Sequence, residues 1–197
     1  MNERCKDIVR DIARQHSIAL SPATLDAIAS VVVQKKYHHR KMVINEGEVC
    51  DYMFYIEKGL VRQFYHKNGQ EVTEHLACEG EIVCCLESFF TRQPSQIMMH
   101  TLEPTILYGF PYAEMQELTK HSYEVCKLYF SILEKSLIIH QHKADILRFE
   151  SAKERYLLTL KYTPEIARRS PLKYLASVLQ IRPETLSRVR KIYSEED

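Results

Sequence analysis

The sequence predicts an α+β protein in which short β-strands precede a long helix and a small helical C-terminal domain. Short runs rich in β-branched and aromatic residues, separated by turn residues, occupy the region from about residue 40 to residue 110. A stretch without glycine or proline then covers residues 122–149. After residue 150 the charge changes sign, which indicates a separate unit.

Two helices are predicted ahead of the strands, over residues 3–15 and 21–34. In the second of these, Ser21 is placed as the N-cap and Pro22 as the first helical residue.

The strands are predicted in the segments KMVINEGE, YMFYIEKG, LVRQFYHK, QEVTEHLA and IMMHTLEPTILYGF. Asn68 and Gly69 separate two of these segments and predict a hairpin, because both residues tolerate the positive φ of a tight turn. Several short strands at this spacing predict a small barrel or roll.

The long helix contains apolar residues close to a heptad seam, namely Val125, Leu128, Ile132, Ile139, Ile146 and Phe149. Such a seam suits pairing with a second helix, and a helix packed on its own core explains the same residues equally well. Ser151 and Glu154 then form a capping box, which predicts a new helix and a second domain from about residue 151.

Two short helices are predicted at the C-terminal end, opened by Pro171 and Pro183. The first has one apolar stripe, formed by Leu172, Leu175, Ala176 and Leu179. The second has an apolar face of Leu186, Val189 and Tyr193, and an opposite polar face of Glu184, Ser187, Arg188 and Lys191, flanked by Thr185. Gln180 occupies the turn between these helices. Glycine is common there because the position requires a positive φ, and a different residue destabilises the turn by about 1 kcal/mol.

The polar face has the chemistry of a helix that reads DNA in the major groove. An arginine such as Arg188 can donate to guanine O6 and N7, and Glu184 can accept from a cytosine amine. Arg182, Arg190 and Lys191 are candidates for phosphate contacts. A surface helix pair without any ligand is the alternative interpretation.

Charge is unevenly distributed, although the whole chain carries +1. Residues 1–150 contain 17 basic and 20 acidic residues, whereas residues 151–193 contain 10 basic and 3 acidic residues, a net of +7. A basic C-terminal segment indicates a polyanionic partner, and a solvated helical face is the alternative.

Together these segments resemble the Crp/Fnr family of bacterial transcription regulators over nearly the whole chain. The resemblance rests on PLKYLASVLQIRPETLSRVRK and on the glycines of NEGE, IEKGLV, the hairpin and EGEI. It implies a double-stranded β-helix (β-roll) sensor domain at 1–112, a dimerisation helix at 113–150 and a helix-turn-helix domain at 151–197. A homodimer, double-stranded DNA, a small-molecule effector and RNA polymerase are the implied partners.

The effector-binding segment departs from the pattern of the family's cyclic-nucleotide members. Those members place a Gly-Glu pair, and about ten residues later an Arg-Ser pair, around the ligand; the Arg neutralises the cyclic phosphate. Here Cys84-Cys85 and Ser95-Gln96 occupy these places. We therefore expect an effector other than cyclic AMP, in a pocket formed by Cys84, Cys85, Leu86, Glu87, Ser88, Ser95 and Gln96. No cofactor is assigned.

The six cysteines and nine histidines have no C-x-x-C pair and no metal-ligand spacing. Cys84-Cys85 fits either a redox sensor or a pair of small buried residues. The absence of a signal peptide and of a long apolar run predicts a cytoplasmic protein that makes no membrane contact.

The sequence thus predicts a homodimeric, sequence-specific DNA-binding regulator and no enzyme. The principal alternative is a ligand-binding β-roll whose helical tail contacts other proteins. A metal-dependent β-barrel enzyme is a third hypothesis, without a ligand set to support it.

Overall fold

The computed structural model describes residues 3–194, and the side chains of Tyr193 and Ser194 lie outside that description, so the predicted position of Tyr193 is not addressed. It confirms the α+β class. The helices are α1 Glu3–Gln15, α2 Pro22–Val31, α3 Leu86–Thr91, α4 Tyr112–His121, α5 Tyr123–Phe149, α6 Ala152–Tyr162, α7 Pro164–Arg169, α8 Leu172–Val178 and α9 Pro183–Ser194. The strands are β1 Val33–Tyr37, β2 Met42–Ile44, β3 Tyr52–Lys58, β4 Val61–Lys67, β5 Gln70–Ala77, β6 Ile82–Val83, β7 Met98–Thr101 and β8 Thr105–Pro111.

The strands form a β-roll of two four-stranded antiparallel sheets, with strand orders β1-β8-β3-β6 and β2-β7-β4-β5. β4 and β5 form the predicted hairpin, in which Asn68 and Gly69 have φ values of 52° and 74°. Buried apolar side chains from both sheets, including Phe54, Ile56 and Met99, fill the roll.

Sequence and structure differ where the second helix ends. The helix predicted to reach residue 34 ends at Val31, and β1 begins at Val33 and pairs with β8. Three consecutive valines at 31–33 explain the change, because β-branched side chains pack well on a pleated sheet. The β segment predicted at 97–110 contains the two strands β7 and β8, and the short elements β6 and α3 were not predicted.

The first turns of α5 belong to the core of their own roll. Val125 and Leu128, which the sequence places on the heptad seam, are 1% and 4% exposed in that core. For these two residues the core-packing interpretation is confirmed, and the inter-helix interpretation is wrong. The helical region predicted at 113–150 is divided between α4 and α5, with Ser122 as the N-cap of α5.

A second hydrophobic core joins the roll to the C-terminal helices. Leu60, Leu76 and Cys78 of the roll cluster with buried side chains of the C-terminal region, namely Tyr156, Ile166, Ala167, Leu175, Ala176, Leu179 and Leu186. The segment after residue 150 therefore packs directly on the roll.

Arg155 holds the connection between α5 and the C-terminal helices. Its guanidinium donates to the carbonyl oxygens of Leu147, Glu150 and Leu179, at 2.7, 3.0 and 3.0 Å. These carbonyls lie at or beyond helix C-termini, where no intrahelical donor is left for them. The predicted capping box of Ser151 and Glu154 is confirmed at the start of the same helix, α6.

Replacement of Gly59 by alanine is expected to destabilise the roll strongly. Gly59 has φ +111°, and a Cβ atom there would lie 2.8 Å from the Cα of Thr105, which is rigid backbone. We expect a loss of about 3 kcal/mol or more in the free energy of unfolding, from steric overlap added to backbone strain.

Gly47→Ala is the matched control. Gly47 also has a positive φ of +83°, but a Cβ atom there would meet nothing within 4 Å. Its substitution should cost only the backbone strain of about 1 kcal/mol. Urea unfolding of both variants measures the difference, and equal losses would contradict the steric argument.

Candidate nucleic-acid interface

The turn between α8 and α9 has a Schellman geometry built around Gln180. Gln180 has φ 53°, its N–H donates to the Ser177 carbonyl at 3.0 Å, and the N–H of Ile181 donates to the Ala176 carbonyl at 3.0 Å. The sequence-based expectation of a non-glycine residue with positive φ is confirmed. The two hydrogen bonds fix the angle at which α9 leaves α8.

Helix α9 presents the predicted polar face to solvent. Leu186 is fully buried and Val189 is partly buried against the second core, whereas Glu184, Ser187, Arg188 and Lys191 are exposed. Thr185 is half-buried at the edge of this face. The structure therefore brings the base-reading candidates Glu184 and Arg188 together, one turn apart on an accessible surface.

The three candidates for phosphate contacts occupy different environments. Arg182 lies in the turn before α9 and is exposed, as is Lys191. Arg190 is half-buried: it donates to the Ala167 carbonyl at 2.6 Å and lies 5.7 Å from the centre of the Tyr156 ring. Arg190 thus anchors α9 within its own domain.

Arg62 of β4 lies in the interface between the roll and α8. It is 1% exposed, donates to Thr73 and Glu71 at 2.9 and 2.6 Å, and lies 4.2 and 3.8 Å from the centres of the Phe64 and Tyr174 rings. Cation–π contact with two rings helps to stabilise a buried arginine whose counter-ion is partly exposed. No pattern in the sequence indicates this role for Arg62.

A second arginine, Arg169 of α7, joins the C-terminal helices to two turns of the roll. It forms ion pairs with Glu79, at 2.7 Å, and with Glu103. Burial alone would raise the pKa of Glu79, but hydrogen bonds from Arg169 and from the Gly59 N–H lower it to about 2.

The predicted effector residues fall into two groups. Cys84, Cys85, Ser88 and Ser95 are buried and Leu86 is half-buried, whereas Glu87 and Gln96 are exposed, so the structure places the last two outside the roll interior. The buried group is bonded internally: Ser95 donates to the Ile97 carbonyl at 2.7 Å, and Ser88 donates to the Gln93 carbonyl at 2.6 Å.

Two residues of this interior were missed in the sequence. Gln63 of β4 donates to the Cys84 carbonyl at 3.0 Å, and Cys50, just before β3, donates its N–H to the Ser88 hydroxyl at 3.0 Å. Both are distant in sequence from residues 84–96, and only the pairing of the strands brings them there.

Helix α5 carries several exposed apolar side chains. They are Tyr123, Phe130, Leu137, Ile138, Ile139 and Phe149, with exposed fractions from 43% to 79%. Tyr123, Phe130 and Leu137 follow a seven-residue spacing, which suits contact with another helix.

Comparisons with known proteins agree with the β-roll fold. Residues 34–122 match the family model of the cyclic nucleotide-binding domain. The matched segment runs from β1 through the roll to Ser122, at the start of α5. A comparison with curated proteins found no match.

Solved structures share the fold beyond the matched segment. FixK2 from Bradyrhizobium japonicum superposes with a TM-score of 0.71 at 14% identity, over 84% of this chain and 86% of that one. The c-di-GMP responsive global regulator CLP from Xanthomonas campestris gives 0.65 at 20% identity, over 89% and 93%. The Catabolite Activator Protein of Thermus thermophilus gives 0.54 at 24% identity, over 90% and 85%. At these low identities, the superpositions show a common fold and no more.

Within residues 3–194, no helix is both long enough and apolar enough to cross a membrane. Among the same residues, no three or more His, Cys, Asp or Glu side chains are grouped so that they could hold a metal ion.

The ion pairs of Arg169 predict an acid-sensitive attachment of the C-terminal helices. Because the pKa of Glu79 is lowered from 4.5 to about 2, its stabilising contribution is complete above pH 4.5 and is lost as the pH falls towards 2. In Arg169→Gln we expect lower stability at pH 7 and a smaller further loss between pH 4.5 and 2. Denaturant unfolding across this range measures both effects.

Arg168→Gln is the control for this prediction. Arg168 is the neighbouring residue, but it is exposed and its ion pair is a 3.7 Å contact with Glu165 of the same helix. This variant should retain the acid dependence of the unsubstituted protein. If both variants behaved alike, the pairing of Arg169 with Glu79 would not be the cause.

Proposed function

We propose that this protein is a homodimeric, sequence-specific DNA-binding transcription regulator of the Crp/Fnr type. The observation that carries the proposal is the exposed polar face of α9, in which Glu184 and Arg188 lie one turn apart while Leu186 fixes the helix to the core. In this assignment, α8 and α9 form a helix-turn-helix and α9 enters the major groove.

The side chains of α9 divide between reading bases and holding phosphates. Arg188 donates to a guanine edge, Glu184 accepts from a cytosine amine, and Ser187 and Thr185 flank them. Arg182 and Lys191 contact phosphates, which position the helix without specifying sequence. The net charge of +7 over residues 151–193 supports a polyanionic partner.

The exposed apolar surface of α5 supports the homodimer. Apolar side chains such as Leu137 and Ile138, at 72% and 56% exposed, would be covered by the same surface of a second copy. Such a contact is isologous, as in most dimers. Two-fold symmetry would separate the two α9 helices by about 34 Å, one turn of DNA, and the target would be close to palindromic.

The effector proposed for the roll is a molecule other than cyclic AMP. Cys85 and Ser95 are buried at the positions where the family's cyclic-nucleotide members have Glu and Arg. A thiol and a hydroxyl thus replace the two charged side chains. Arg92, the nearest arginine in sequence, caps α3 and is bonded to the Cys50 carbonyl and to Asp51. A cyclic phosphate would therefore meet no arginine at the expected position.

Arg188→Ala is expected to weaken binding to the cognate duplex by about 1–3 kcal/mol and to relax specificity at one base pair. The cognate site is first obtained by selection from a random duplex library at near-physiological salt. Lys191→Ala should instead weaken binding to all duplexes alike and reduce the salt dependence.

Arg168→Ala is the matched control for both variants, since it removes an exposed charge from the same domain outside α9. Titration of each variant against cognate and scrambled duplexes distinguishes the roles. If Arg188→Ala bound the cognate duplex like the unsubstituted protein, α9 would not be the reading helix. Salt-independent binding, or none with any duplex, would favour a helical tail that contacts proteins.

Leu137→Glu is expected to convert the dimer into a monomer, because it places a charge in the centre of the proposed apolar contact. Sedimentation equilibrium measures the change in mass. Lys135→Glu, a charge change on an exposed polar residue two positions away and therefore on a different side of α5, is the control and should remain dimeric. A dimer of unchanged affinity in Leu137→Glu would assign the contact to another surface.

A further inference from the structure

The turn between β1 and β2 is a basic segment at the surface of the roll. It contains His38, His39, Arg40 and Lys41, all of which are exposed. The turn is fixed through its main chain, because the N–H of Arg40 donates to the Thr101 carbonyl and the N–H of Lys41 donates to the Thr101 hydroxyl, both at 3.0 Å. The side chains of Arg40 and Lys41 therefore extend from an ordered turn without being needed to hold it.

Helix α8 crosses the outside of the sheet towards this turn. Near its C-terminal end, Ser177 accepts a hydrogen bond from the N–H of Thr73 in β5, at 2.8 Å. One turn closer to its N-terminus, the ring of Tyr174 lies 6.0 Å from that of His100 in β7, measured between ring centres. Because the strand order of this sheet is β2-β7-β4-β5, the N-terminal end of α8 points towards β2 and the turn that precedes it.

Lys173 extends the basic turn onto the C-terminal helices. It is exposed, and its ammonium lies 4.6 Å from the centre of the Tyr174 ring. Tyr174 contacts His100, and the turn is bonded to the next residue, Thr101, so that α8 and the turn are attached to consecutive residues of β7. We refer to the exposed basic residues of the turn and of α8 together as the roll–α8 basic surface, namely His38, His39, Arg40, Lys41 and Lys173.

Two carboxylates in this region are already paired with arginines. Glu103, two residues after Thr101, forms an ion pair with Arg169, and Glu71 of β5 forms one with Arg62. Their negative charge is offset within the fold, so it does little to oppose the cations of the roll–α8 basic surface. The roll therefore presents a local excess of positive charge, although residues 1–150 contain more acidic than basic residues.

The roll–α8 basic surface lies on the side of the sheet away from α5. Lys143 of α5 has its ammonium 2.7 Å from Nδ1 of His75, in the edge strand β5. The opposite edge of the sheet is β2, which lies about 14 Å from β5 because neighbouring strands are about 4.8 Å apart. In the proposed homodimer α5 is at the two-fold axis, so each surface faces outward, beyond the half-site that α9 reads.

We propose that the roll–α8 basic surface binds the phosphates of the duplex that flanks each half-site, so that the roll itself contacts DNA. The inference rests on the proposed function, because it takes α9 to be in the major groove and α5 to be at the axis. The first helix of a helix-turn-helix crosses the phosphate backbone, which places Lys173 beside it and the turn at 38–41 next along the duplex. The guanidinium of Arg40 and the ammonium of Lys41 both suit phosphate oxygens.

Contacts of this kind leave a measurable signature in the salt dependence of binding. Each phosphate that a lysine or arginine neutralises contributes about 0.9 to the slope of log affinity against log salt concentration. Arg40 and Lys41 in two protomers would make about four such contacts, and hence contribute about 3.6 to the slope. Because phosphates are the same in every sequence, the flanking base pairs can be varied without loss of affinity.

The test compares two duplexes that carry the motif obtained by selection. One duplex ends at the motif, and the other is extended at both ends by about one helical turn of arbitrary sequence. The full-length protein is titrated against each duplex at several salt concentrations. We expect tighter binding to the longer duplex, with a salt slope steeper by about 0.9 for each flanking phosphate that is contacted.

The double variant Arg40→Gln and Lys41→Gln should remove most of the difference between the two duplexes. Its affinity for the shorter duplex should stay close to that of the unsubstituted protein, because that duplex has no flanking phosphates. The hydrogen bonds to Thr101 come from the main chain, so the turn should keep its conformation in this variant.

The double variant Arg10→Gln and Arg14→Gln is the matched control. Both residues are exposed arginines of α1, which packs on the other sheet of the roll, where Arg4 is bonded to Glu57 of β3. This variant loses the same amount of charge from a different side of the roll, and it should keep the full difference between the duplexes.

Equal affinity and equal salt slope for the two duplexes in the unsubstituted protein would overturn the proposal. So would a double variant of Arg40 and Lys41 that keeps the full difference, or one that loses affinity for both duplexes to the same extent. A failure of the proposed function is distinguishable, because the unsubstituted protein would then bind neither duplex in a salt-dependent manner, and that result would reject both proposals.

Discussion

The buried guanidinium of Arg62 organises the contact on which the arrangement of the whole chain depends. Its cation is almost fully removed from water, whereas the carboxylate of Glu71, which is bonded to it, is 46% exposed. The cost of that desolvation is offset in part by cation–π contacts with two aromatic rings, one from the roll and one from α8. Separation of α8 from the roll would remove the contact with Tyr174 and leave the one with Phe64.

The neighbours of Arg62 are arranged to tolerate this charge. His100 packs against Phe64 and Tyr174, and burial, reinforced by Arg62, lowers its pKa to about 4, so it stays neutral at physiological pH. On the other side, the backbone N–H of Thr73 in the edge strand β5 donates to Ser177 of α8 at 2.8 Å. An exposed strand edge is thereby covered by the chain's own helix, which protects it from pairing with other chains.

Local patterns in the sequence predicted the elements that depend on local chemistry. Ser21, Ser151 and the Asn68-Gly69 turn act within a few residues of their own position, so their signals can be read directly. The polar face of α9 was predicted for the same reason, because its residues follow the local spacing of a helix. The roles of Arg62 and Arg155 and the contact of Cys50 with Ser88 could not be predicted, because each depends on residues that only the folded topology brings together. The end of α2 was misplaced because pairing with β8 outweighed a weak helical preference.

Arg62 and Gln63 are consecutive residues of β4 whose side chains serve opposite sides of one sheet. Gln63 holds the Cys84 carbonyl inside the roll, and Arg62 holds Tyr174 of α8 outside it. A single peptide unit thus separates the interior of the roll from the attachment of the helix pair. In the proposed regulator, energetic coupling between the two sites would be reciprocal. A duplex that favours one placement of α8 would change the affinity of the interior for an effector by the same factor that the effector changes the affinity for the duplex.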